Sequence, residues 1–126
     1  MARPSSVDRR NWRVEVVLSL IEDNSSDPAF HLSHAARATK TSVCYLSRVI
    51  KAATGHGFVY HVRVARIHNS TCLLSNLALN IKEIAYAVGY ASTSDFDRSF
   101  KTITGMTPTQ YRSLSVKGNV PVAVEI

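Results

Sequence analysis

The sequence predicts an all-α fold in which two helix-turn-helix units are joined by a long linker helix. Three observations predict it. In the stretch Ile81 to Arg112 (IKEIAYAVGYASTSDFDRSFKTITGMTPTQYR), Ile84, Ala85 and Val88 follow the i, i+3, i+4 spacing of a helical face. Gly89 then supplies a turn through positive φ, and a second amphipathic stretch follows it. Residues 48–55 (RVIKAATG) and 98–105 (RSFKTITG) share Arg, an apolar residue two later, Lys and a closing Thr-Gly, 50 positions apart. Amphipathicity alone repeats apolar positions but not Arg, Lys and Thr-Gly, so the match reads as an internal duplication. Between the two copies, Phe58 to Leu77 is a single long helical pattern.

Taken in order, Arg3 to Ser6 is expected to be a disordered lead-in. Asp8 or Asn11 opens a brace helix over residues 8–24, with Trp12, Val16, Val17, Leu20 and Ile21 as its apolar stripe. Asn24 to Pro28 (NSSDP) is a loop. The first unit covers residues 31–55. It has a short helix from Leu32 to Ala38, with Leu32, Ala35 and Ala36 inward, and a turn at Thr39-Lys40-Thr41. Ser42 is the N-cap of a helix running to about Ala53. Val43, Leu46, Val49 and Ile50 face inward there, and Cys44, Tyr45, Ser47, Arg48 and Lys51 outward.

The linker helix spans residues 57–77, with Phe58, His61, Val62, Ala65, Cys72 and Leu73 near one face and Ile67, Leu74 and Leu77 beside them. At 1.5 Å per residue it is a rod of about 27–30 Å. Asn80 caps the second unit, residues 80–114. Its helices align with those of the first once an extra residue is allowed in the second turn, so that Ala36 corresponds to Ala85. Ser92 or Thr93 is the N-cap of its second helix, with Phe96, Ser99 and Phe100 inward and Thr93, Ser94, Asp97 and Arg98 outward. Thr107-Pro108 starts a last short helix, Pro taking its first position. Residues 1–114 are thus expected to form a single unit, and residues 115–126 a flexible tail.

Charge is placed unevenly. The 126-residue chain has a net charge of +6, and the excess lies on residues 31–114, with ten Lys or Arg against Glu83, Asp95 and Asp97. Residues 1–30 hold four Arg against five acids. A basic surface on the repeated part suits a polyanionic partner. No apolar run reaches the roughly 20 residues a membrane span needs, and the amino terminus lacks an apolar signal core, which points to the cytoplasm. Cys44 and Cys72 show no pairing motif and are expected to be reduced thiols. His31, His34, His56, His61 and His68 are scattered, with no Cys or acid completing a tetrahedral set, so no metal and no cofactor is expected. No paired carboxylates, phosphate-cradling loop or nucleophile–base pair appears, and an enzyme is not expected.

From about Leu32 to Arg112 the chain resembles the AraC/XylS-type DNA-binding domain of bacterial transcription regulators. The most specific elements are I-A-x-x-V-G-Y, F-x-R-x-F-K and G-M-T-P-x-x-Y-R in Ile81 to Arg112. Upstream, Ser42, Leu46-Ser47-Arg48, Lys51, Thr54-Gly55, Arg66 and Leu73-Leu74 stand in register. The resemblance implies seven helices and two recognition helices. Departures fall mostly in the first unit: Ala35, Thr39, Ile50, His61 and Ser70 replace other residue types, and the turn lacks a glycine. They bear on that unit's stability and its share in binding DNA. In the second unit Asp97 is the unusual residue.

Carried over position by position, the resemblance implies base contacts from Cys44, Ser47 and Arg48 in the first unit and from Thr93, Ser94, Asp97 and Arg98 in the second. An Arg fork matches guanine O6 and N7. Asp97 would repel phosphate unless it accepts from a cytosine amino group or orients Arg98. Ser42, Tyr45, Lys51, Ser92 and Lys101 suit the DNA backbone, while Arg66 suits a structural bridge to an acid or a helix end. The expected partner is double-stranded DNA, bound by a monomer through adjacent major grooves, with RNA polymerase as a further candidate. A nonspecific architectural DNA binder and a protein-interaction module acting on another regulator or on RNA polymerase are the rival readings. The chain is either a whole short regulator, which Met1 favours, or the C-terminal part of a longer one.

Overall fold

The computed structural model describes residues 6–116, with side chains from Trp12 onward. Among the described residues there are seven helices and no strand. They are α1 (Ser6–Asn24), α2 (Leu32–Ala38), α3 (Val43–Thr54), α4 (Phe58–Leu74), α5 (Ile81–Ala87), α6 (Thr93–Thr104) and α7 (Pro108–Val116). They fall into two compact units. Among the described residues, one holds α1 and Ala29–Val62; the other holds Ser25–Pro28 and residues 63–116.

In the first unit α1 packs on α3, and α2 packs on α3. The buried face of α1 is Val14, Val17 and Ile21. Trp12, expected inward, is 44% exposed and carries the Arg13 guanidinium 4.7 Å over its ring. Val14 stands three residues before Val17 on the face that Val17 and Ile21 bury, whereas Trp12 lies off it. The helix already includes Ser6, upstream of the expected openings at Asp8 or Asn11; the rest of the expected lead-in lies outside the described residues. Val43 is also a correction: as the first residue of α3 it precedes the turn that Leu46 seats in the core, and it is 44% exposed. Leu46 and Ile50 are fully buried in its stead.

Burial pushes the His61 imidazole below the ordinary histidine range; the His56 carbonyl opposes this and the His56 ring adds to it. Its Nε2 lies 2.7 Å from Thr54 Oγ1. A histidine with a depressed folded-state pKa binds its proton more readily in the unfolded chain. Stability is therefore unaffected above the unfolded value of about 6.5 and is lost as pH falls through and below it. The melting temperature is expected to drop between pH 7.5 and 5.5, and His61→Gln should flatten that drop; equal slopes would remove His61 as the cause.

The second unit is built round Ile67, Leu74, Ile84, Ala85, Val88, Tyr90, Phe96, Phe100 and Tyr111. Its aromatic rings form a chain, Tyr90–Phe96–Phe100–Tyr111, with centroids 5.6, 5.7 and 5.6 Å apart. These are the tilted and edge-to-face separations that ring quadrupoles favour. Two arginines fasten loops to this core. Arg66 donates from Nε to the Ser25 carbonyl at 2.7 Å and from a terminal nitrogen to that of Asp27 at 3.3 Å, with its guanidinium 5.5 Å from the Tyr90 ring. Its expected structural role therefore takes the form of bonds to loop carbonyls. Arg112 donates to the carbonyls of Leu74 (2.8 Å), Asn76 (3.2 Å) and Leu79 (2.6 Å).

Those bonds explain why α4 stops at Leu74, short of the expected Leu77. The Leu74 carbonyl is taken by Arg112, and the Asn76 side chain accepts from the Ala78 N–H at 3.0 Å, turning the chain away from helix. Leu77 is left 64% exposed on this loop. Cys72, expected on the apolar face, is exposed, and the inward positions are Ile67, Ser70 and Leu74. Ser70 is satisfied by the Ile67 carbonyl at 2.6 Å. At the other end α7 runs to Val116, two residues into the expected tail, the rest of which lies outside the described residues.

Candidate nucleic-acid interface

Each unit contains the same device, a short helix, a turn and a capped second helix. In the first turn Thr39 N–H donates to Ala35, Lys40 to Arg37 and Thr41 to Ala36; in the second, Val88 donates to Ile84, Gly89 to Tyr86 and Tyr90 to Ala85. Bond for bond, Ala36 corresponds to Ala85, and the extra residue of the second turn is Ala91 between Tyr90 and Ser92. The left-handed position is Gly89 (φ 113°) in one unit and Lys40 (φ 55°) in the other. A non-glycine residue pays about 1–2 kcal/mol there. Thr39, in the place of Val88, is buried with its hydroxyl 2.9 Å from the Ala35 carbonyl. That bond lets a threonine stand where an aliphatic side chain would otherwise be needed.

The second helices repeat just as closely. Ser42 accepts from the Tyr45 N–H at 3.1 Å, and Ser92, not Thr93, accepts from the Asp95 N–H at 3.2 Å. Each is an N-cap with extended backbone. Gly55 and Gly105 close the helices at φ 82°, their N–H groups donating to Lys51 and Lys101. Thr54 and Thr104 set their hydroxyls 2.8 Å from the carbonyls of Ile50 and Phe100 and accept from the N–H groups of His56 and Met106. The Thr-Gly match in the sequence thus has a structural content: one C-terminal cap used twice.

Burial of Leu46 and Ile50 on α3, and of Phe96 and Phe100 on α6, fixes the rotation of each helix. On α3, Cys44, Ser47, Arg48 and Lys51 are exposed and Tyr45 is half-buried. On α6, Ser94, Asp97, Arg98 and Lys101 are exposed and Thr93 is half-buried. All seven residues expected to face bases therefore lie on the outer sides of their helices or at the margin. Arg98 pairs with Asp95 at 3.4 Å, both side chains open to water, so Asp97 does not orient it. A pair this exposed is worth little and gives way readily to another anion.

The electrostatics of the units differ. α2, α3 and the turn between them carry Arg37, Lys40, Arg48 and Lys51 with no acid, whereas Lys82, Arg98 and Lys101 of α5 and α6 face Glu83, Asp95 and Asp97. Arg37 and Lys40, both exposed, were not among the expected site residues. The signal lay in the alignment of Ala36 with Ala85, which sets Lys40 opposite Gly89. Among the described residues no group of His, Cys, Asp or Glu is placed to hold a metal ion, and no helix is long and apolar enough to cross a membrane.

Two bonded, capped copies of one helix-turn-helix define a bipartite helix-turn-helix protein. The chain belongs to the AraC-type helix-turn-helix family: residues 35–113 match the helix-turn-helix domain. It is 29% identical over 115 residues to the HTH-type transcriptional regulator GlxA of Rhizobium meliloti, covering 90% of this chain and 36% of that one. To the melibiose operon regulatory protein of Escherichia coli it is 30% identical over 112 residues, covering 88% of this chain and 37% of that one. The C-terminal domain of AraT, a response regulator from Geobacillus stearothermophilus, has a similar structure, with a TM-score of 0.72 and 32% identity over 89% of this chain and 88% of that one. The chain spans little more than a third of the length of the first two relatives.

Proposed function

We propose that the chain is the DNA-reading part of a bacterial transcription regulator, a binding protein and not an enzyme. It works in the cytoplasm and engages duplex DNA as a monomer through α3 and α6 in adjacent major grooves. The observation that carries this reading is the repeated, doubly capped helix whose buried side is apolar and whose outer side is polar, basic on α3 and of mixed charge on α6. A groove admits such a helix, and its base edges offer a distinct donor and acceptor pattern for each pair. Arg48 and Arg98 are forks for guanine; Cys44, Ser47, Thr93, Ser94 and Asp97 complete the base-facing set. Lys51, Lys101, Tyr45 and the helix starts at Ser42 and Ser92 meet the backbone, with Arg37 and Lys40 adding charge.

Major grooves on one face of DNA repeat about every 34 Å. The 17 residues of α4 make a rod of about 25 Å. Bending of the duplex, at a cost of order 1–6 kcal/mol, brings the interval within reach. The first helix-turn-helix, residues 31–55, carries no acid and supplies more of the electrostatic affinity than the second.

Binding of a random duplex pool followed by fluorescence anisotropy on the selected site tests this reading. Arg48→Ala is expected to cost ~1–3 kcal/mol on that site and to relax choice at one position. Lys51→Ala should weaken all sequences alike and reduce the salt slope by about 1. The short side chains of Ser47, Thr93 and Ser94 favour a second reading, a nonspecific architectural binder. Steep salt dependence with no selected motif would establish it in place of the first.

A further inference from the structure

One residue on the outer side of α6 is chemically out of place against a polyanion. Asp97 is exposed, and among the described residues nothing pairs with it: Arg98 turns to Asp95, and Lys101, one helical turn on, forms no ion pair with it. The Asp95–Arg98 pair can exchange its acid for a phosphate or a guanine. Asp97 has no such exchange to make. An ionised carboxylate only accepts hydrogen bonds, and it repels phosphate. In the major groove the groups that can donate to it are base amino groups, and cytosine N4 is the one that a lone carboxylate fits. The Ser92 cap fixes where α6 begins, and buried Phe96 and Phe100 fix its rotation, so Asp97 is set one turn beyond Thr93.

We propose that Asp97 is a specificity-determining residue that accepts a hydrogen bond from the N4 amino group of a cytosine in the groove entered by α6. The inference rests on the DNA-reading function above. The acid selects chiefly by rejection, since any site without a donor at that position meets an uncompensated negative charge. The two helix-turn-helices then divide the work: the first, with no acid in residues 31–55, attracts DNA, and the second discriminates.

The test is selection from a random duplex pool with the full chain in three forms: wild type, Asp97→Asn and Asp97→Ala. The wild type is expected to retain cytosine at one position by about 5- to 150-fold over other bases, the range of one good base contact. Asp97→Asn should move that preference to adenine, whose N6 and N7 an amide meets with its own acceptor and donor. Asp97→Ala should lose choice at that position alone and bind the other three bases at least as tightly as the wild type does. If both variants keep the wild-type motif and gain affinity equally for all sequences, Asp97 acts only through its charge and the assignment is overturned, while the DNA-reading function stands. A wild type that selects no motif overturns both. Asp97 is exposed, so the thermal melts of all three forms should coincide, which separates a lost contact from a lost fold.

Discussion

Gly89→Ala is expected to destabilise the protein by about 3 kcal/mol or more, read as a fall in the urea midpoint at unchanged slope. Two costs add. At φ 113° a side chain is strained whatever the space around it. There is also no space: a Cβ would lie 2.5 Å from the Ser25 carbonyl oxygen and 2.7 Å from Arg66 Nε. Neither neighbour can yield cheaply, because they are bonded to each other at 2.7 Å. Gly55→Ala is the control. Its φ is 82° but nothing lies within 4 Å of the added Cβ, so only the conformational cost of about 1–2 kcal/mol remains. Equal losses at the two sites would show that the close approach of Ser25 and Arg66 to Gly89 is not what holds the second turn.

Phe100→Ala should cost about 3–5 kcal/mol, the range for deleting a buried aromatic ring. Phe100 is fully buried and stands between Phe96 and Tyr111 in the ring chain, 5.7 and 5.6 Å from them, so its removal opens a cavity that neighbours on both sides would have to close. The equivalent change in the first unit, Ile50→Ala, removes a smaller side chain and should cost about 2–5 kcal/mol. Thermal or urea unfolding of both variants checks the pair. A loss below about 1 kcal/mol for Phe100→Ala would mean that the rings do not form a close-packed core.

What was legible in the sequence was local. Each helix and turn carries its own instructions within a few residues: Ser42 and Ser92 as caps, Thr-Gly as the C-terminal stop, Pro108 at the first position of α7. The single-residue slip between the two turns was readable because the duplication supplied its own ruler. Two capping boxes are also written there, Asn80 with Glu83, bonded at 2.8 and 3.0 Å, and Thr107 with Gln110, at 2.9 and 3.1 Å; of these the expected cap at Asn80 is one half of the first.

Phase errors occurred at helix ends, where packing and not periodicity decides. Trp12, in the N-terminal half of α1, and Val43, the first residue of α3, are each 44% exposed, and Leu77 lies past a helix end set by Arg112, 38 residues away from the carbonyl it takes. Contacts between such distant residues leave no local pattern. For the candidate site, exposure was readable from the amphipathic phase of α3 and α6. Pairing was not: Asp95, rather than Asp97, was within reach of Arg98, because residues three apart meet on a helix and adjacent ones do not. The strain at Lys40 was hidden too, since lysine gives no signal of a left-handed backbone until the turn is built.

The central claim is that α3 and α6 of one chain read neighbouring turns of one duplex. The most direct measurement is fluorescence anisotropy on duplexes holding both selected half-sites, at their selected spacing and with about 5 base pairs inserted between them. Half a helical turn puts the two half-sites on opposite faces of the DNA. The account predicts that the inserted duplex binds no more tightly than a duplex with one half-site alone. Undiminished affinity after the insertion would contradict it.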